Sequence, residues 1–326
     1  MFGATVLVPI LVSGYGLPLS IQTTLLFAGI GTLLFHVCTK FKVPAFLGSS
    51  FAFLGGFQAV ANLDSGKFAA MTGEEKLPYA LGGVVIAGLL YLVLALLFKL
   101  VGAKKVMRYF PPIVTGPIII LIGLNLSGTA VTNASTNWWL ALVAIAVIIV
   151  ANIWGRGMVK IVPILLGVVV SYAVAAVLGE VDFSGVAAAP WVGLPVVWDN
   201  TVFALFGPQF DSGLATTAII TIMPLAFATM IEHIGDISAI GSTCERNYIA
   251  DPGLHRTLLG DGLATILASL FGAPANTTYG ENTGVLALTR VFDPRVIRIA
   301  ACCAIVLSFC PKFAAVIAAM PACVIG

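Results

Sequence analysis

The stretch Ala273 to Arg290 reads A-P-A-N-T-T-Y-G-E-N-T-G-V-L-A-L-T-R, and its reading decides the fold. It lies among apolar segments, yet Pro274, Gly280 and Gly284 interrupt it and Glu281 places a carboxylate inside it. The run Asn276-Thr277-Thr278-Tyr279 is β-prone, whereas Asn282 to Thr289 reads as a short helix. A segment that is part extended and part helical leaves backbone N–H and C=O groups without internal partners. At membrane depth such backbone is tolerated only where protein covers it or where it lines a cavity. A broken helix of this kind also presents an N-terminus, with its free N–H groups, to a binding site. Glu281 is therefore expected to touch a ligand.

The surroundings demand a membrane reading. Of 326 residues, 60% are hydrophobic and only 9% are charged, against roughly 25% charged in soluble domains. That is too little charge to cover a soluble surface of this size, so the chain reads as an all-α polytopic membrane protein. The net charge is +2 and no basic run exists to neutralise phosphates, which argues against a nucleic-acid partner. The six cysteines (Cys38, Cys244, Cys302, Cys303, Cys310 and Cys323) show no C-x-x-C spacing. They read as small buried hydrophobes, and no metal or cofactor is expected. Met1 to Ile10 lacks a basic region ahead of its apolar run, so it reads as a first span entered partway rather than a signal peptide.

Spans need roughly 20 apolar residues. The candidates are 1–13, 19–39, 79–101, 113–127, 138–154, 161–178, 213–235, 258–271 and 296–310. Two segments are too broken for ordinary spans: 45–60, and the stretch quoted above. If both cross and the N-terminus is cytoplasmic, 13 of the 16 basic residues fall on the cytoplasmic side and only Lys67, Lys76 and Lys312 fall outside. The acidic loop 179–212 then lies outside as well. If 45–60 did not cross, every later loop would swap sides and the asymmetry would vanish.

The two broken segments also pair in kind. Gly48-Ser49-Ser50-Phe51-Ala52-Phe53-Leu54-Gly55 resembles Asn276 to Gly284, and each is the third crossing of its half. Tyr109-Phe110-Pro111-Pro112 and Ala319-Met320-Pro321 form a second echo. An odd number of crossings separates the halves, so the repeat is expected to be inverted, with a site where the interrupted segments meet. By that symmetry the second half stops about three spans short.

Four carboxylates fall inside apolar segments: Glu232, Asp236, Asp261 and Glu281. Such charges are costly and usually functional. Glu232 and Asp236 are four apart, hence on one helix face. Desolvation disfavours the charged form, which suits a proton carrier. Structural alternatives stand beside these roles. Asp236 could bond a hydroxyl, Asp261 could tie two helices, and Phe51 and Tyr279 could be core aromatics rather than rings stacked on a flat ligand. His233 reads as a satisfied core histidine on another face, and His36 as interfacial.

Glu281-Asn282-Thr283-Gly284, followed after four residues by Thr289-Arg290, matches the signature of the nucleobase–ascorbate transporters, which this chain resembles. The fuller runs N-T-T-Y-G-E-N-T-G, G-S-S-F-A-F, M-F-G-A-T-V-L-V-P and D-P-G-L-H-R bring it nearest to the uracil-transporting bacterial members. The resemblance implies a proton-coupled symporter for uracil or a related nucleobase in the cell inner (plasma) membrane. It implies an inverted seven-plus-seven repeat with a core and a gate. Core segments are then expected over 1–105 and 213–311, gate segments over 106–180 and from 312 onward, and an external loop over 181–212. Carried over, Glu281 and Glu232 hold the ring edge, Phe51 meets the base, and Tyr279 and Gly280 supply neighbouring backbone contacts. Asp236, Glu232, Glu281 and Asp261 are the proton-coupling candidates. Asp236 stands where uracil-transporting members carry histidine and purine members aspartate, and Asp261 likewise resembles the purine branch, so a xanthine-type substrate is the alternative. An anion exchanger of the same architecture is a second. An enzyme finds no support, because the chain has no H-E-x-x-H, no G-x-S-x-G and no nucleophile–base pair. Any homodimer contact is expected on the gate segments.

Overall fold

The computed structural model describes residues 2–64, 66–108, 112–206 and 210–325. Within these, the side chains of 2–4, 66, 104, 112–115 and 281 lie outside the description, as do Tyr109, Phe110 and Pro111 of the second echo. The principal helices are α1 (Phe2–Gly14), α2 (Ile21–Cys38), α3 (Leu54–Ala61), α4 (Gly73–Val101), α5 (Pro112–Ser135), α6 (Trp138–Trp154) and α7 (Pro163–Val177). They continue with α8 (Ser212–Ile222), α9 (Leu225–Thr243), α10 (Leu254–Leu270), α11 (Gly280–Thr289), α12 (Pro294–Ser308) and α13 (Pro311–Ala318). Two strands, β1 (Leu47–Ser49) and β2 (Asn276–Thr278), form the sheet.

Each expected span contains a helix, with shifted ends that have local causes. α4 begins six residues before Tyr79 because Thr72 and Glu75 form a capping box: the Thr72 hydroxyl accepts from the Glu75 amide and the Glu75 carboxylate accepts from the Thr72 amide. The span 213–235 is two helices, broken at Met223-Pro224, and the second runs on to Thr243. Pro224 has no N–H to continue the first helix. α10 starts at Leu254, which puts Asp261 two turns inside the helix rather than at its mouth.

Among the described residues, 21–38, 73–101, 116–135 and 212–243 are each long and apolar enough to cross a bilayer. The shorter α6 exposes Leu142, Ile145, Ile149 and Ile153 along one face. That stripe is at home in lipid and costly in water.

The chain divides into two compact units, 1–119 with 193–310, and 120–192 with 311–326. In the second, α6 and α7 approach through Gly167, where a Cβ would sit 2.5 Å from Ile148. Leu140, Ala175, Cys323 and Val324 fill its core, and the Tyr172 hydroxyl donates to the Val316 carbonyl at 3.0 Å. In the first, α10 lies against α2 and α4. Gly88 and Gly262 face each other there: a Cβ on Gly262 would meet Tyr91 Cβ at 2.6 Å and the Gly88 carbonyl at 3.2 Å. Small residues let membrane helices approach this closely. Part of the loop expected to be external, 179–212, packs within this unit. Trp198 and Phe203 pack on Phe271, whose ring stacks on Phe27 at 5.3 Å.

His36, in the last turn of α2, is fully buried in the protein, its Nε2 3.0 Å from the Ala45 carbonyl. One further expectation is corrected. Of the cysteines, Cys244 and Cys323 are buried, but Cys302 and Cys303 are exposed on α12.

Candidate functional site

The two broken segments meet. β1 and β2 pair antiparallel, with Leu47 opposite Thr278, Gly48 opposite Thr277 and Ser49 opposite Asn276, and all six residues are buried. The ladder continues one step further, where the Ser50 amide donates to the Ala275 carbonyl at 2.8 Å. Three-residue strands satisfy only part of their backbone, and helix side chains supply the rest. The Leu47 amide donates to the Thr32 hydroxyl at 2.9 Å, and that hydroxyl donates to the Leu47 carbonyl at 3.2 Å. The Thr265 hydroxyl donates to the Asn276 carbonyl at 2.8 Å, and the Asn276 amide group donates to the Phe27 carbonyl at 3.0 Å. α2 and α10 thus stand in for the missing strands, as buried polar backbone requires.

Each strand runs into a helix. After β1 come a 3-10 turn, Phe51–Phe53, and α3; after β2, Tyr279 leads into α11. α3 is closed at its far end by Lys76, which is 7% exposed and donates to the carbonyls of Ala61 and Leu63 at 2.9 and 3.0 Å. A cation there also complements the negative end of the helix. Tyr279 is 3% exposed; its hydroxyl donates to the Ser49 carbonyl at 3.1 Å and lies 3.3 Å from the Ser49 hydroxyl. Its ring is thereby committed to tying the two broken segments together. Phe51 is half-buried and packs on the apolar cluster that holds Tyr279, Phe46, Ala28 and Ile297.

α9 lies against both breaks, touching the 3-10 turn, β2 and α11. Asp236, 6% exposed, accepts a hydrogen bond from the Thr278 hydroxyl at 3.0 Å. A Cβ on Gly280 would lie 3.0 Å from Asp236 Oδ1, so the positive N-terminal end of α11 abuts this carboxylate. Glu232, one turn earlier on α9, is half-buried, and Gly280 is exposed. Asp236 does bond a hydroxyl, while sitting directly at the break. Glu281 is the second residue of α11, and its side chain lies outside the described residues.

Sequence reasoning gave His233 only the role of a satisfied core histidine and did not single out Thr278; the imidazole is in the core, but its Nε2 has no hydrogen-bond partner among the described residues. His233 is fully buried, with Nδ1 2.9 Å from Asp261 Oδ2 and 3.4 Å from the Thr278 hydroxyl. Asp261 is fully buried as well, and it does join two helices, α10 to α9. The available signals were the Glu232-His233 adjacency and a threonine inside a strand one residue before the aromatic. Neither indicates which carboxylate the imidazole meets.

The chain's relatives agree with this architecture. The family model described as "Permease family" matches residues 1–326. The uracil permease of Bacillus caldolyticus is 42% identical over 335 residues, covering 100% of this chain and 72% of the relative. The uracil permease of Escherichia coli K12 is 37% identical over 337 residues, again covering 100% of this chain and 72% of the relative. Among solved structures, the transmembrane domain of the cyanobacterial bicarbonate transporter BicA superposes with a TM-score of 0.61 at 17% identity, over 99% of this chain and 84% of that one. At that identity the likeness concerns the fold. An apolar multi-helix chain whose two interrupted segments pair, matched along its whole length to such relatives, belongs to the permease family of nucleobase–ascorbate transporters.

Proposed function

We propose that this chain takes up uracil, or a closely related nucleobase, together with protons across the cytoplasmic membrane. The observation that carries the reading is the β1–β2 pairing, which brings the Phe51 turn and the start of α11 against the acidic face of α9. The names of its relatives supply the substrate. Uracil is a flat, uncharged ring with N–H donors and carbonyl acceptors along its edge. Glu281 and Glu232 accept from the ring N–H groups, and backbone N–H groups at Gly280 and its neighbours donate to the ring carbonyls. Phe51 packs on a face of the ring, and Tyr279 contributes through its backbone, since its ring is spent on Ser49. Asp236, Asp261, Glu232 and Glu281 are the carboxylates available to the coupled proton. The two compact units serve as core and gate, and the N-terminus lies in the cytoplasm.

The test is binding to the purified protein. Glu281→Gln keeps the size of the side chain and removes its charge, and it is expected to weaken uracil binding by about one to two orders of magnitude, the cost of about 1.5–3 kcal/mol for a hydrogen bond to a charged group. Unchanged uracil affinity in that variant would remove Glu281 from the site. The fold likeness to a bicarbonate transporter favours one rival, an anion held at the paired helix N-termini. Asp236 beside Gly280 opposes it, and uracil binding that bicarbonate or sulfate displaces would reinstate it.

A further inference from the structure

Four side chains from three elements form a buried polar cluster beneath the site: hydrogen bonds link Asp236, Thr278 and His233, and the Asp261 carboxylate lies against the imidazole. Asp236 and His233 come from α9, Thr278 from β2 and Asp261 from α10. Thr278 Oγ1 donates to Asp236 Oδ2 at 3.0 Å, which leaves its lone pairs free to accept from His233 Nδ1 at 3.4 Å. The same Nδ1 is 2.9 Å from Asp261 Oδ2. His233 and Asp261 are fully buried, Thr278 is 1% exposed and Asp236 is 6% exposed. His233 Nε2 is buried and has no hydrogen-bond partner among the described residues. Neither Asp261 oxygen has a hydrogen-bond partner among the described residues, so the compensation on offer to this buried carboxylate is a positive charge on the imidazole 2.9 Å away.

Resting on the uptake reading above, we propose that His233 is the proton-carrying residue of the coupling step, with Asp261 as its counter-charge and the Thr278 hydroxyl as its link to Asp236. In the loaded state His233 is an imidazolium facing the Asp261 carboxylate, and Asp236 is ionised beside Gly280. Thr278 Oγ1 passes its proton to Asp236 and takes the Nδ1 proton in the same movement. His233 is left neutral with its proton on Nε2, Asp261 stays ionised, Asp236 becomes a carboxylic acid, and Thr278 is unchanged. One proton has moved from the buried pair to the substrate side, and no net charge has been created. The other ionisable groups facing the pair are Glu232 on α9 itself and Tyr91 on α4, which lies within electrostatic range of both Asp261 and Glu232. From α2, Phe35 meets His233 edge-on at 6.3 Å and His36 at 6.1 Å, and His36 is held by the Ala45 carbonyl.

The full-length protein in proteoliposomes separates coupling from recognition. His233→Asn keeps a donor near the Nδ1 position but cannot titrate; Thr278→Val keeps shape and loses the hydroxyl, while Thr278→Ser restores it. Three readouts are taken: equilibrium uracil binding, uracil exchange without a gradient, and accumulation driven by an imposed proton gradient. His233→Asn and Thr278→Val are expected to bind and exchange uracil but to lose gradient-driven accumulation, and Thr278→Ser to keep it. Accumulation at the parent level in either deficient variant overturns the relay. Loss of binding together with accumulation in His233→Asn overturns it too, since the residue then only holds the site in shape. A parent protein that binds no uracil would instead defeat the uptake reading, an outcome seen before any variant is made.

Discussion

A Cβ built on Gly48 would lie 2.4 to 2.5 Å from Cε2, Cζ and the hydroxyl of Tyr279. Only a hydrogen fits there, and the fit is what lets Tyr279 reach across to Ser49. Gly48→Ala is expected to lower unfolding stability by about 1–3 kcal/mol, the usual cost of overpacking, and to weaken uracil binding because Tyr279 leads directly into α11. Thermal unfolding and binding in detergent would check both, and an alanine variant matching the parent in each would show that the ring can yield. A second residue-scale prediction concerns pH. Asp211 caps α8, accepting from the amides of Gly213 and Leu214, and pairs with Lys67. The Lys67 ammonium, followed by those amides, holds the Asp211 carboxyl below its ordinary 3.8, and Asp211 holds Lys67 above 10.5. The depressed acid contributes stability above its unfolded value, lost as pH falls through the folded one. The raised lysine contributes below its own unfolded value, lost as pH rises past the folded one. The stability difference between the parent and Asp211→Asn should therefore be present near neutrality and vanish in acid. An unchanged difference at pH 3 would show that the pair is not responsible.

At the scale of the element, the strands are too short to hold themselves. β1 and β2 persist because α2 and α10 supply partners, and Thr32 does this in both directions for Leu47. Thr32→Val keeps the shape and deletes both bonds, so a loss of about 1–3 kcal/mol is expected from the buried backbone groups it strands. Denaturant or thermal unfolding would measure it, and a neutral result would mean that water or a shifted strand replaces the hydroxyl. Much of this level is legible in one dimension. The β-prone run 276–279 with its glycines marks a break, and the small-residue run at Gly48 marks its counterpart. The extra turn of α4 was readable in Thr72-x-x-Glu75, but Glu74, Glu75 and Lys76 resemble a polar loop until the capping box is noticed. That Lys76 folds inward to close α3 has no signal in sequence, since a lysine beside two glutamates ordinarily faces water.

For the whole molecule, the asymmetry of lysine and arginine makes an orientation prediction. An epitope inserted at Glu180 is expected to be reachable on intact spheroplasts, and one inserted at Arg156 only after permeabilisation. The opposite pattern would invert the assigned topology and, with it, the direction of uptake. The acidic charges of segment 179–212 speak only to the side of the membrane expected for it; that Trp198 and Phe203 pack on Phe271 is a contact composition does not report.

Composition alone determined that this chain is a bundle of apolar helices. Two glycine-broken stretches, each with its own β-prone start, determined that the bundle is interrupted, because backbone chemistry forbids such breaks against lipid. Only the tertiary structure decided what meets at the interruption. Antiparallel register sets Thr278 opposite Leu47, and the packing of α9 between strand and helix sets Asp236 against Gly280 and turns His233 toward Asp261. Those pairings join residues 28, 44 and 231 positions apart in sequence. Helical periodicity reports which residues share a face, not which face of another helix that face will touch.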